Sequence, residues 1–360
     1  MSQTPHHLLN TSWTLHRLSP LHHDKEFQTL LDNPTALNTY AARLRDQLTG
    51  DVLSGLQTSL GASGVAEDDT LSKTGALRSC TWEGIPRFDD TFTSENEGQG
   101  QTGILIILSY ENTTYKAALL ASPDNQQNQT KTQNTRKGVT PLPLLLTRTP
   151  TPLRQTLLSF LSATFDTYPS PLRLPASFMC AGLDTYVNTF LSSGARDAAG
   201  ILQDVMRDVQ LTLAFSGAVA PSLRSLGVGV PKGSVGGFLR GNGAGGDDGG
   251  SFLGRLEGYL ERHLAMKLDF GTGGGSGTRG DLAKQHVRVS KIACGGFVIG
   301  SEGRMKLSAD LGRQGDDIGD GDDGQGSQVL SEKERLVLRA SYALLLGVLR
   351  RAVAGEGQMK

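Results

Sequence analysis

The segment that most restricts what this chain can fold into is Val209-Gln210-Leu211-Thr212-Leu213-Ala214-Phe215, where Val209, Leu211, Leu213 and Phe215 point one way and the residues between them the other. A period of two sends successive side chains to opposite faces of a strand, so the segment reads as a strand with one face on a core and one toward water, as in an antiparallel sheet. Leu226, Val228 and Val230 repeat the pattern further on. A helix would scatter the same residues around its circumference.

Helical spacing and turn chemistry organise the rest. Leu37, Tyr40, Ala41, Leu44 and Leu48 form one stripe of a helix that Pro34 opens. The stretches 52–60, 76–82, 103–110 and 115–121 read as strands, the last two joined as a hairpin by the polar turn Glu111-Asn112-Thr113-Thr114. Thr151 and Pro152 suit the N-cap and first position of a helix carrying Leu153, Leu157, Leu161 and Phe165. A second helix follows Pro175, with Met179, Leu183, Tyr186 and Phe190 facing inward. Ser251 caps a helix through Leu264, and 286–299 reads as one long strand with a bulge or bend at Gly295-Gly296. Ser331-Glu332-Lys333-Glu334 is a capping box ahead of an apolar helix reaching about Val353. This order predicts an α+β protein of two sheet-containing domains with flanking helices, 1–200 and 201–360, the second largely antiparallel. The boundary is placed between Gly194 and Asp208, in the small, polar stretch before the Val209 strand.

At 360 residues, 37% apolar and 20% charged, the chain can bury two cores while carrying unstructured insertions. These are expected at about 122–138, rich in Gln, Asn and Thr, and at 241–250, 271–283 and 312–328, rich in Gly. The formal net charge of −1 conceals a basic span from Lys131 to Arg173, with six basic residues against Asp166. Cys80, Cys180 and Cys294 are too few and too scattered for a disulfide framework, which fits a reducing compartment. No secretory signal is read at the N-terminus, the triplets at Asn10, Asn112 and Asn128 are read as chance glycosylation matches, and no apolar run approaches the ~20 residues that span a bilayer.

The strong catalytic patterns are missing: no Walker A lysine, no G-x-S-x-G elbow, no HExxH. Gly241-Asn242-Gly243-Ala244-Gly245-Gly246 matches the dinucleotide fingerprint in letters only, because it runs into Asp247-Asp248 within a Gly-rich stretch. His6-His7 and His22-His23 lack further ligands at set spacing, His263 and His286 lack a cysteine pair, and Cys294 reads as a structural thiol in an apolar strand. The acidic run Asp316, Asp317, Asp320, Asp322, Asp323 lacks the terminal Glu of a calcium loop. No cofactor, metal or catalytic residue is assigned. Arg136, Lys137, Arg148, Arg154 and Arg173, with few acids between them, are either a solvated face or a phosphate contact.

Several segments together resemble the centromere protein L family of fungal inner-kinetochore subunits. They are 11–21 (TSWTLHRLSPL), 40–52 (YAARLRDQLTGDV), 75–82 (GALRSCTW), 142–150 (LPLLLTRTP), 164–167 (TFDT) and 170–175 (SPLRLP), then 208–213 (DVQLTL), 259–268, 291–300 (KIACGGFVIG) and 303–307 (GRMKL). The likeness spans nearly the whole chain, departing at the low-complexity insertions. It implies a non-enzymatic nuclear subunit of the constitutive centromere-associated network, located at the kinetochore, paired with a centromere protein N homologue and helping to hold centromeric chromatin. It further implies a curved, sheet-rich C-terminal half that supplies the partner interface, here the strand Val287 to Ile299 and the following Arg304 to Leu307.

The residues add a reason of their own, since a long strand with an exposed edge pairs readily with another chain. Ile292, Phe297, Val298, Ile299, Met305 and Leu307 are the expected partner-binding positions, although ordinary core asks for the same apolar side chains. Arg148, Arg154 and Arg173 are the candidate DNA contacts, acting through the assembled pair by charge and not by base reading. Two competing readings are a DNA-binding clamp working alone, against which the near-neutral charge argues, and an enzyme using His16, Asp46 or Cys80. The enzyme needs those groups to converge in a pocket.

Overall fold

The computed structural model describes residues 6–23, 26–53, 74–86, 101–122, 138–217, 222–239, 251–264, 270, 287–308 and 331–355. The chain folds as two compact units: the first comprises 1–8, 13–172 and 348–360, the second 9–12 and 173–347. The expected insertions fall almost wholly outside the described residues, as do the Gly241–Gly246 motif and the acidic run.

In the first unit, β1 (Ser12–Leu18), β2 (Leu21–His22), α1 (Pro34–Leu53), β3 (Leu77–Pro86), β4 (Gln101–Tyr110), β5 (Thr114–Leu120), β6 (Val139–Thr140), β7 (Leu144–Arg148), α2 (Thr151–Phe165) and β8 (Pro169–Pro171) follow in sequence. The strand order is β1-β7-β5-β4-β3, all antiparallel, with β8 beside β1 and β2–β6 as a separate pair. The hairpin at Glu111-Asn112 closes as expected, the Tyr110 N–H donating to the Thr113 carbonyl at 2.9 Å. One face of this sheet, with Ile104, Ile106, Leu108, Ala117, Leu119 and Leu145, packs on the apolar stripes of α1 and α2. Tyr40, Trp82, Phe160 and Phe165 interlock at its centre, with centroids 4.6 to 6.4 Å apart.

Two expectations change here. Residues 52 and 53 are the end of α1 and not the start of a strand, because the helical backbone of α1 runs on past Gly50 to Leu53. Helix α2 begins one residue earlier than Thr151 and Pro152 suggest. Pro150 is its N-cap, with φ −63° and ψ 159°, and no side chain caps the first turn.

The second unit contains α3 (Ala176–Leu191), α4 (Ala198–Val205), β9 (Val209–Phe215), β10 (Ser225–Val230), α5 (Lys232–Leu239), α6 (Phe252–Leu264), β11 (Val287–Ala293), β12 (Phe297–Gly300) and β13 (Arg304–Leu307). It also holds most of α7 (Glu332–Ala354), whose end from Val348 belongs to the first unit. The strands run β10-β9-β11-β12-β13, again antiparallel throughout. The division at Leu172–Arg173 precedes the stretch suggested by composition, because α3 packs on this sheet: Tyr186 meets Phe297 at 4.9 Å. Ser251 caps α6 as read, accepting from the Gly254 N–H at 3.1 Å. At the start of α7 the capping box closes both ways: the Ser331 N–H donates to Glu334 Oε2 at 2.9 Å and the Glu334 N–H to Ser331 Oγ at 3.2 Å.

The expected long strand 286–299 is two strands. Ala293 pairs with Val298, and the Cys294 N–H donates to the Phe297 carbonyl at 2.8 Å, so Gly295-Gly296 is a hairpin turn and not a bulge within one strand. A Cβ at Gly296 would fall 2.1 Å from the Tyr186 hydroxyl oxygen, so only glycine lets this turn sit against α3. The irregularity lies instead in β11, where the register against β9 slips between Val289 and Lys291.

Candidate partner and nucleic-acid surfaces

The six expected partner residues divide by the parity of their strands. Ile292, Phe297, Ile299, Met305 and Leu307 are all at most 2% exposed and face the helices with Leu211 and Leu213, whereas Val298 is half-buried on the opposite, outer face. The exposed edge expected along 287–299 is absent, because β11 lies between β9 and β12, and β12 between β11 and β13. The Leu307 carbonyl on β13 accepts from the Asn10 N–H at 2.6 Å. Among the described residues, the open edge in this unit is β10. The Phe215 N–H donates to the Arg224 carbonyl at 3.1 Å, which sets the phase of the ladder. The backbone groups of Ser225, Gly227 and Gly229 therefore point away from β9.

Of the DNA candidates, Arg148 ends β7 exposed and stands directly opposite Lys116 of β5, a like-charged pair with no acid bonded to either among the described residues. Such pairs are unfavourable on their own. Arg154 occupies the first turn of α2, and its Nη2 donates to Thr151 Oγ1 at 3.2 Å. Arg148 and Arg154 lie on opposite sides of their sheet, because Arg148 alternates with the helix-facing Leu145 and Thr147. Arg173 is exposed in the second unit, and the Leu174 N–H beside it donates to the Ser301 carbonyl at 3.1 Å.

The residues of the enzyme alternative do not converge. His16 is 5% exposed on β1, its Nδ1 without a hydrogen-bond partner among the described residues. Burial, then the Arg154 charge, lowers its pKa to about 4, so the ring is neutral near pH 7. Cys80 sits on β3, four strands away, or about 19 Å at ~4.8 Å per strand. Burial pushes its thiol up to about 11, far from a reactive thiolate. Asp46 is exposed on α1 and ion-paired with Arg45 at 3.1 Å. A pocket between His7, Leu8, Glu83, Gly84, Ile85, Pro86 and Leu105 encloses about 20 Å³, room for a water and not a substrate.

The described histidines likewise stand singly, and His286 lies outside the described residues. His23 is buried and fully engaged: a carbonyl only accepts, so its Nδ1 donates to Phe27 O at 2.8 Å, and its Nε2 meets Thr140 Oγ1 at 2.9 Å. His263 is exposed, its ring tilted against that of Tyr259 with centroids 4.1 Å apart. No group of three or more His, Cys, Asp or Glu side chains that could hold a metal occurs among the described residues, and none of their helices is long and apolar enough to cross a membrane.

Inspection for basic spans overlooks Arg288, Lys291, Arg304 and Lys306, which lie on two strands, β11 and β13, with β12 between them. Their signal is weak but present: each is a polar position beside apolar ones in its strand, so the pairing alone decides that they meet.

The family model for Centromere protein L matches residues 7–353, a span that draws on both units. No curated protein matches the chain significantly. The chain belongs to the centromere protein L family, and is accordingly a protein of the centromere and kinetochore.

Proposed function

We propose that this chain is a non-enzymatic inner-kinetochore subunit of the nucleus that pairs with a centromere protein N homologue and helps anchor the kinetochore to centromeric chromatin for chromosome segregation. The family match over 7–353 carries the reading. The separation of His16 from Cys80 supports the non-enzymatic part.

The second unit is the proposed partner-binding half. Ile292, Phe297, Ile299, Met305 and Leu307 serve as the layer that holds its sheet, so direct contact falls to β10, whose outward amides and carbonyls offer an added strand its ladder. Replacing Phe297 and Ile299 with Asp reports only on folding, since both are fully buried. Gly227→Pro is the cleaner probe, because it removes an outward N–H and leaves the ladder with β9 intact. Affinity purification of the tagged chain from nuclear extract, followed by mass spectrometry, should recover a stoichiometric centromere protein N homologue, and Gly227→Pro should lose it while keeping the thermal midpoint. A metabolic enzyme, or nothing, in its place overturns the reading.

DNA contact through the pair is assigned to Arg148, joined by Lys116, and to Arg154 and Arg173. Charge-neutral replacement of Arg148 should weaken binding uniformly across sequences and lower the salt slope by about one. A slope unchanged in the assembled pair removes Arg148 from the contact.

A further inference from the structure

Seven of the chain's 14 prolines directly follow a serine or threonine: Thr4, Ser19, Ser122, Thr140, Thr149, Thr151 and Ser170. Two of these pairs have an arginine as the third residue after the hydroxyl, Thr151-Pro152-Leu153-Arg154 and Ser170-Pro171-Leu172-Arg173. A hydroxyl followed by proline and then by a cation is what a proline-directed protein kinase reads. Proline has no N–H to leave unpaired in an apolar pocket beside the catalytic centre, and the cation pairs with an anionic group on the enzyme. The letters favour both tetrapeptides equally, but the fold does not.

Most of the other hydroxyls are engaged or enclosed. Ser19 Oγ accepts from the Tyr168 N–H at 2.8 Å, and the buried Thr140 Oγ1 meets His23 Nε2 at 2.9 Å. Ser122 is buried, Thr149 Oγ1 is enclosed, and Thr4 lies outside the described residues. Thr151 opens α2, where its Oγ1 accepts from Arg154 Nη2 at 3.2 Å. The helix winds Pro152 and Arg154 around the axis from that hydroxyl, so the tetrapeptide presents no extended line until its first turn unwinds.

Ser170 differs on each count. It is half-buried in β8, an extended strand of three residues, and its hydroxyl has no hydrogen-bond partner among the described residues. Tyr168 before it is 83% exposed, and Pro171 and Arg173 after it are exposed. Among the described residues β8 pairs only with β1, and because Pro169 and Pro171 have no N–H, Ser170 is the one residue of the strand able to donate to it. So short a ladder opens locally at little cost, which lets an enzyme draw the segment out without unfolding the unit.

The pairing also supplies a place for the product. Arg17 on β1 stands directly opposite Ser170, so the two side chains share a face with Cβ atoms about 5 Å apart. Arg17 forms no ion pair with a described residue. Its guanidinium lies beside Gly355, just past α7, where a Cβ would meet Nη1 at 3.0 Å. We propose that Ser170 is phosphorylated by a proline-directed kinase and that Arg17 then holds the phosphate. In the transfer, Ser170 Oγ attacks the γ-phosphorus of ATP and the bond from that phosphorus to the β,γ-bridging oxygen breaks. ADP leaves with the electron pair, and the hydroxyl proton passes to the catalytic aspartate of the kinase. The new dianion stands within reach of a cation that had no acid, and their charge-assisted bond fixes β8 on β1.

The test incubates the folded full-length chain with a purified cyclin-dependent kinase and labelled ATP, then maps the label by mass spectrometry. Phosphate should appear on Ser170 and not on Thr151. Ser170→Ala should lose the label, and Arg173→Gln should slow its incorporation about tenfold. A peptide of residues 165–176 reports on the same segment without the fold. Label on Thr151 in preference to Ser170, label on the peptide and not on the folded chain, or no label on either overturns the site. Phosphorus NMR of the labelled chain tests the acceptor. The second ionisation of phosphoserine, ordinarily near pH ~6, should move lower in the wild-type chain and return toward that value in Arg17→Gln. A titration that Arg17→Gln leaves unmoved overturns the part given to Arg17. The site depends on β8 and its neighbours in the first unit, so its failure leaves the kinetochore reading as it was.

Discussion

His16 shows how a polar residue inside a sheet acquires a defined protonation state. Its folded pKa near 4 lies below the 6.5 of an open chain, so the unfolded state binds the proton more readily. The stability contributed by the neutral ring is intact above pH 6.5 and is lost as pH falls toward 4, a decline approaching about 3 kcal/mol at the lower end. His16→Leu should flatten that part of the stability profile in denaturant titrations; an unaltered profile would show that the ring is not desolvated. Gly296 sets a different limit. Alanine there must displace the Tyr186 hydroxyl or the hairpin, which should cost about 1–3 kcal/mol of unfolding free energy. Sequence inspection locates Gly296 but misjudges its part, because a paired glycine serves a bulge and a tight turn equally well and only the approach of Tyr186 separates them.

The elements that were legible are those whose local chemistry and packing agree. The stripe Met179, Leu183, Tyr186 and Phe190 is fully buried in α3, and the Ser331–Glu334 box caps α7 with both of its bonds. Ser331→Ala should therefore cost about 1 kcal/mol, measurable as a lower denaturation midpoint. Helix α2 offers the opposite experiment. Its N-cap is a proline without a side-chain acceptor, so Pro150→Asp should stabilise the chain by roughly 0.5–1 kcal/mol, the extended backbone at this position being suited to a cap. Elements that escaped notice are short or carry discouraging composition. Helix α5 contains Gly233, Gly236 and Gly237, and it persists because Val235 is buried and Phe238 packs edge-on against Phe252 at 6.0 Å. Strand β7 is framed by Pro143 and Pro150, which masks a run of apolar residues that pairs on both edges.

At the scale of the molecule, the C-terminal helix bears most on how the chain can be cut. Val348, Leu349 and Ala352 are buried and belong to the first unit, although they follow the second in sequence. A fragment ending at residue 200 exposes whatever these three cover, a loss of about 4 kcal/mol for the Val and Leu side chains. It should bind hydrophobic dyes and melt lower than the intact chain; a fragment as stable as the whole would show that the helix end is dispensable. Read by itself, the sequence determined the periodicities, the capping box, the hairpin at Glu111-Asn112 and the α+β class, because each depends on residues a few positions apart whose geometry is set by the backbone. What only the tertiary structure decided depends on distant partners. The register slip at Ser290 decides that Arg288 and Lys291 share a face, strand order decides that His16 and Cys80 never meet, and parity decides that five of the six expected contact residues lie in the core. A one-residue shift in pairing sends every side chain of a strand to the other side, and no local pattern records it.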